Sequence, residues 1–362
     1  MFYHFLYPLR DIFFGFNVLH YITFRAAMAA VTAFVLCLIL GQIFIPKFAS
    51  HKIREKVKKE DSDKLDILHG HKAGTPTMGG VFILLSLFIT VLLWADLTNK
   101  FILLSLFVSL YLGLLGAKDD LLKQKGKVSK GLSAKAKLFW QVLLGLIVGA
   151  VLYLDPNFSL NLSLPFLKNV VIDAGLFYIL FAALVIVATS NAVNITDGLD
   201  GLAIGCISIS ALTIAILSYI SGNLKFSEYL FLPYIQDAGE LTVYCSAIFG
   251  ASLGFLWYNC HPAEIFMGDV GSLALGGTLG AIAIFIKKEF LLVLLGGIFV
   301  IEAASVILQV GSFKLRKKRI FKIAPLHHHF QFLGWDESKV IIRFWIIAII
   351  LALITLATLK LR

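Results

Sequence analysis

The residues best suited to chemistry are carboxylates, amides and histidines gathered at the edges of apolar segments. Asp119 and Asp120 are adjacent, and Asn191, Asn194, Thr196, Asp197 and Asp200 fall within ten residues that hold no lysine or arginine. Asn259 and Asp269 share one short segment, in which Phe266, Met267 and Gly268 lead into the aspartate. His327, His328 and His329 are consecutive, and Lys72 stands three residues before Thr75. Carboxylates at a membrane boundary cost free energy unless something binds them, so these acids point to a cation, a substrate or both. Hard oxygen donors without thiolates suit Mg2+. Magnesium beside carboxylates, histidines and a lysine suits phosphoryl or pyrophosphate chemistry, in which the metal neutralises phosphate oxygens and the protein positions the reactants.

Each group also has a plainer reading. On a helix Asp119 and Asp120 diverge by about 100°, so one is expected to contact a metal and the other something else; alternatively they are a solvated helix end. Asp197 and Asp200 share a face if a helix starts near Thr196, and Gly198 and Gly201 would let a phosphate approach the helix N-terminus. Simple N-capping explains one polar residue there, not five. A Gly-Asp turn such as Gly268-Asp269 is by itself most often structural, although its flexible backbone can bring a carboxylate onto a divalent ion. The histidine run lacks transition-metal spacing; its members could donate to phosphate oxygens or simply form a polar loop. Lys72, before the Gly74 to Gly80 turn, is a cation suited to an anionic or carbonyl-bearing ligand. No Walker-type or dinucleotide-binding glycine loop is present.

These residues must be positioned by membrane-spanning helices. The 362-residue chain is 59% hydrophobic and 15% charged, which fits an all-α polytopic membrane protein. Ten spans are expected at about 22–46, 77–95, 101–117, 136–154, 172–190, 200–221, 241–258, 270–286, 290–312 and 340–359, the ninth bent at Gly296-Gly297. Residues 1–21 are expected to lie along the interface, with no removable signal peptide. The four cysteines have no metal or redox spacing. One domain, 1–362, is expected, with cytoplasmic loops at about 47–76, 118–135, 191–199, 259–269 and 313–339.

The orientation follows from charge. Segments 47–76, 118–137 and 313–339 hold 22 of the 32 lysines and arginines, so they are expected in the cytoplasm and both termini outside. The net charge of +10 is thus a topology and lipid-headgroup signal, and nucleic acid is not an expected partner. Every polar cluster above falls on the cytoplasmic side, whereas a pore or carrier would place such groups near the midplane. Only Glu302 and Gln309 intrude at depth.

The chain resembles the polyprenyl-phosphate N-acetylhexosamine-1-phosphate transferases over essentially its whole length. The resemblance rests on Phe16-Asn17 with Tyr21 to Arg25, Thr75-Pro-Thr-Met-Gly-Gly80, Asp119-Asp120, Asn191 to Leu202, Gly254 to Asn259, Phe266 to Leu273, Ser305 to Gln309, Ala324-Pro-Leu-His-His-His329 and Arg343 to Ile346. The Thr75 to Gly80 and histidine motifs are similar to the branch whose donor is UDP-MurNAc-pentapeptide. The resemblance implies Mg2+-dependent transfer of phospho-MurNAc-pentapeptide to undecaprenyl phosphate, releasing UMP, at the cytoplasmic face of a bacterial inner membrane. It implies Asp269 and Asn194 as metal ligands; Lys72, Asn259, Phe266 and Gly268 around uridine; and Asp197, Asp200, Gln309, His327, His328 and His329 on the nucleotide-sugar side, with Thr75 also in the substrate site. Asp119 and Asp120 would face the lipid phosphate and the metal. A homodimer is implied as well. Lys118 and Leu121 depart from the family pattern around the aspartate pair. The rival readings are a sister enzyme using UDP-GlcNAc and a cation-coupled transporter.

Overall fold

The computed structural model describes residues 1–51, 74–125, 131–163 and 171–360. Among these, nine helices are long and apolar enough to cross a membrane, and the shorter apolar helix Gly80–Trp94 fills the tenth expected place. The chain is a multi-pass, all-α membrane protein. Its helices are α1 Phe2–Leu6, α2 Ile22–Ser50, α3 Gly80–Trp94, α4 Lys100–Lys125, α5 Ala134–Tyr153, α6 Phe177–Thr196, α7 Leu202–Ser221 and α8 Leu224–Tyr229. There follow α9 Leu241–Asn259, α10 Gly268–Phe285, α11 Glu289–Leu295, α12 Gly297–Arg316, α13 Leu326–Phe332 and α14 Glu337–Ala357.

The helices sit where apolar runs were expected, but their ends differ near the polar clusters. Helix α4 continues past Asp120 to Lys125, and α6 continues through Asn191 and Asn194 to Thr196. Hydropathy falls at these points while the backbone hydrogen bonding of the helix persists. The ninth span is two helices, parting at Gly296. A two-stranded antiparallel hairpin, Asn161–Ser163 with Val171–Asp173, was not expected in an all-α chain. Helix α3, at 15 residues, rises only about 22 Å. It is short because the backbone from Pro76 to Gly79 is paired with Phe266 instead of continuing the helix: Phe266 N donates to Pro76 O at 2.9 Å and Gly79 N to Phe266 O at 2.9 Å, with Met78 left-handed at φ +70°.

Helix α10 is the axis of the molecule, every residue from Asp269 through Phe285 being buried. It packs against α4 and α6. Small residues permit the approach: a Cβ on Gly116 of α4 would lie 2.2 Å from the backbone oxygen of Asp269. By contrast α2 and α12 leave apolar side chains such as Val31, Ile39, Ile307 and Leu308 exposed, as suits lipid-facing helices.

The end opposite the acidic cluster is fastened by polar contacts. Buried Arg25 pairs with Glu240 through Nη1 at 2.8 Å and stands 4.5 Å over the Tyr3 ring. Lys287 donates to Tyr178 Oη at 3.1 Å, and Tyr178 donates to Glu289 Oε1 at 2.7 Å. The N-terminal segment is short helical turns, with Phe2 edge-on to Trp94 at 5.0 Å.

Candidate active site

Four helix ends meet at the other end of the molecule. Helix α4 supplies Asp119, Asp120 and Lys123, the first turn of α5 supplies Lys137, the last turn of α6 supplies Asn194, and the first turn of α10 supplies Asp269 and Ser272. Carboxylate oxygens of Asp119, Asp120 and Asp269 all lie within 4.8 Å of one another. The three residues are 1%, 4% and 8% exposed, so their mutual repulsion is not screened by water.

Two lysines offset that repulsion. Lys123 Nζ is 2.7 Å from Asp119 Oδ2, 3.1 Å from Asp269 Oδ1 and 3.5 Å from Asp120 Oδ1. Lys137 Nζ bridges Asp269 and Asp119, 3.2 Å from Asp119 Oδ2. With all three ionised, three carboxylates against two ammonium groups leave one negative charge. An all-oxygen donor set with residual negative charge fits a hard divalent cation.

Backbone donors hold the carboxylates in place. Leu132 N donates to Asp119 Oδ1 at 2.7 Å and Val270 N to Asp120 Oδ2 at 3.2 Å. Both members of the adjacent pair therefore lie beside Asp269. The α4–α10 packing brings both around. Asn194 Nδ2 donates to Asp269 Oδ1 at 2.9 Å and to Ser272 Oγ at 2.8 Å, so its amide nitrogen faces the acid.

Gly268 is the hinge of this arrangement. Its φ of +73° is left-handed, and a Cβ there would lie 2.6 Å from Asp120 Oδ2. Gly268→Ala is therefore expected to lower stability by about 1–2 kcal/mol, read as a lower thermal midpoint; an unchanged midpoint would show the turn to be unstrained.

The other expected site residues fall into three further places. Thr75 and Phe266 flank the extended pairing beside Gly268, both half-buried. Asp200 and Asn259 belong to a clasp. Asp200 Oδ2 accepts from His261 Nδ1 and Ala263 N, both at 3.1 Å, while Asp200 N donates to Glu337 Oε1 at 3.1 Å. Asn259 Oδ1 accepts from Gly201 N at 3.0 Å, and its Nδ2 donates to Ile265 O at 2.7 Å. Asp197 ends α6 and Asp200 lies in the turn before α7, so the two do not share a helix face as expected; α7 begins only at Leu202. His327, His328 and His329 sit on α13, and Gln309 Oε1 accepts from Ile320 N and Phe321 N, both at 3.0 Å. Lys72 lies outside the described residues.

Lys123, Lys137, Ser272, His261 and Glu337 were not singled out from sequence. Lys123 had a signal, since it is four residues after Asp119 and three after Asp120 on one helix. Lys137 had none, because its partner Asp269 is 132 residues away.

Comparison with known proteins agrees with this geometry. Residues 102–287 match the family model of glycosyl transferase family 4, and residues 72–84 match phospho-N-acetylmuramoyl-pentapeptide-transferase signature 1. Proteins named phospho-N-acetylmuramoyl-pentapeptide-transferase are similar over the full length. Those of Desulfotalea psychrophila and Pelobacter propionicus are 54% and 53% identical, covering 100% of both chains. That of Methylacidiphilum infernorum is 53% identical over 96% of both. With identity above one half sustained from end to end and the signature seated where α3 meets the acidic cluster, the chain belongs to the phospho-N-acetylmuramoyl-pentapeptide-transferase family.

Proposed function

We propose that the chain transfers phospho-MurNAc-pentapeptide from UDP-MurNAc-pentapeptide to undecaprenyl phosphate, forming lipid I and UMP. The acid–lysine cluster at the meeting of four helices carries this reading, in a chain whose relatives bear the transferase name. In the same reading the membrane is the bacterial inner membrane, the cluster faces the cytoplasm, and the protein works as a homodimer.

The resident cation is Mg2+, held by Asp269 with the neighbouring aspartates and with Asn194 if its amide turns its oxygen inward. When bound it supplies charge neutralisation on pyrophosphate oxygens. A phosphate monoester is already largely dianionic at pH 7, so the lipid phosphate needs little deprotonation to attack. Its oxygen forms the new P–O bond to the sugar-bearing phosphorus, and the P–O bond to UMP breaks. Lys123 and Lys137 neutralise the aspartates and can turn to phosphate oxygens; Asp119, held by Leu132 N, orients the acceptor. A phosphorylated or glycosyl-phosphorylated Asp119 trapped during turnover would overturn direct attack. Phe266 stacks on uracil, Lys72, Asn259 and Gly268 complete the uridine pocket, and Thr75, Asp197, Asp200, Gln309 and the histidines line the nucleotide-sugar side.

The test is UMP release by purified protein with both substrates, in Mg2+ and after chelation. Release that requires the metal and UDP-MurNAc-pentapeptide is expected. Release from UDP-GlcNAc instead would reassign the donor, and solute uptake without UMP would move the protein to the transporters.

A further inference from the structure

Glu302 is a carboxylate inside a spanning helix, fully buried and outside the acidic cluster. Its Oε1 accepts from His327 N at 3.1 Å, and the Leu326 backbone N–H also faces it. These are first-turn N–H groups of α13, which have no partner within their own helix. The His327 ring is equally buried, with Nδ1 3.2 Å from Glu302 Oε2. Nε2 lies on the opposite edge of the ring. That edge faces Gly198, where an added Cβ would lie 2.4 Å from Nε2. Gly198 is the centre of the turn between Asp197 and Asp200, so the contacts run from α12 through the histidine to the loop between α6 and α7.

We propose that Glu302 is a positioning residue: through His327 it fixes the Asp197–Asp200 turn and so sets affinity for the nucleotide-sugar donor without touching it. A buried carboxylate left without partners is costly, which gives this contact a reason to persist at a depth where acids are rare. Gly198 matters because no larger residue admits the imidazole edge. The donor assignment rests on the proposed function; the coupling of Glu302 to the turn does not.

The experiment compares wild type, Glu302→Gln and Glu302→Ala by hydrogen–deuterium exchange and by steady-state kinetics against each substrate. Glu302→Ala is expected to speed exchange over 191–202 and to raise KM for UDP-MurNAc-pentapeptide about tenfold, with KM for undecaprenyl phosphate unchanged. Glu302→Gln keeps an acceptor for the α13 backbone but loses the charge, and is expected to fall between. Unchanged exchange over that turn in folded Glu302→Ala protein, or an equal rise in both KM values, would overturn the proposal. If wild type itself releases no UMP, the functional reading fails, and the exchange result alone decides the coupling.

Discussion

Asp269→Asn is expected to reduce UMP release by about a thousandfold, with expression and thermal midpoint little changed. Asp269 is the shared partner of three groups in the cluster: Lys123 at Oδ1, Lys137 at Oδ2 and Asn194 at Oδ1. The amide occupies the same volume but removes one negative charge, leaving two carboxylates facing two ammonium groups. The residual negative charge that attracts a divalent cation is then gone. The helix itself should survive, since Asp269 is in its first turn and the buried residues beyond it are untouched. Activity within tenfold of wild type at saturating Mg2+ would remove Asp269 from the centre of the mechanism.

Lys137→Met is expected to lower kcat about a hundredfold while moving half-saturation by Mg2+ to lower concentration. The two effects have opposite sign for binding and turnover, and this makes the prediction sharp. Lys137 competes with any cation for Asp119 and Asp269. Without it, three carboxylates face one lysine, and the cluster holds a metal more tightly. The same substitution removes an ammonium group placed to meet phosphate oxygens as charge develops, so turnover falls. A magnesium titration of UMP release gives both quantities. Half-saturation that stays fixed or moves upward would mean that Lys137 does not share the cation's ligands.

The sequence was most informative where one physical signal decided the outcome. Ten apolar segments became helices because length and hydropathy alone set spanning segments. The aspartates were conspicuous because charge is expensive at a membrane boundary. It was least informative where two signals compete. Asn191 and Asn194 read as loop because they are polar, yet the backbone of α6 carries them as helix and thereby places the Asn194 amide against Asp269. Lys123 and Lys137 read as topology-setting charges, a role that hid their contacts across the cluster. Glu302 was noticed for its depth but not for His327, since nothing local joins residues 25 apart in separate helices. The break at Gly296-Gly297 was legible because paired glycines weaken a helix interior.

The enclosure of α10 bears on how the protein meets membranes of different composition. A bilayer that thickens or thins acts on the surfaces that lipid touches, here helices such as α2 and α12, and is accommodated by their tilt. Helix α10 presents almost no surface to that force, and its Asp269 end is tied to α4 through Gly116 and Val270 rather than to lipid. Tilt of outer helices such as α2 and α12 therefore does not act on Asp269 directly, and reaches it through the close α4–α10 packing at Gly116. This amounts to a suspension: the load falls first on the rim, and comes to the axle that carries the chemistry through its bearing.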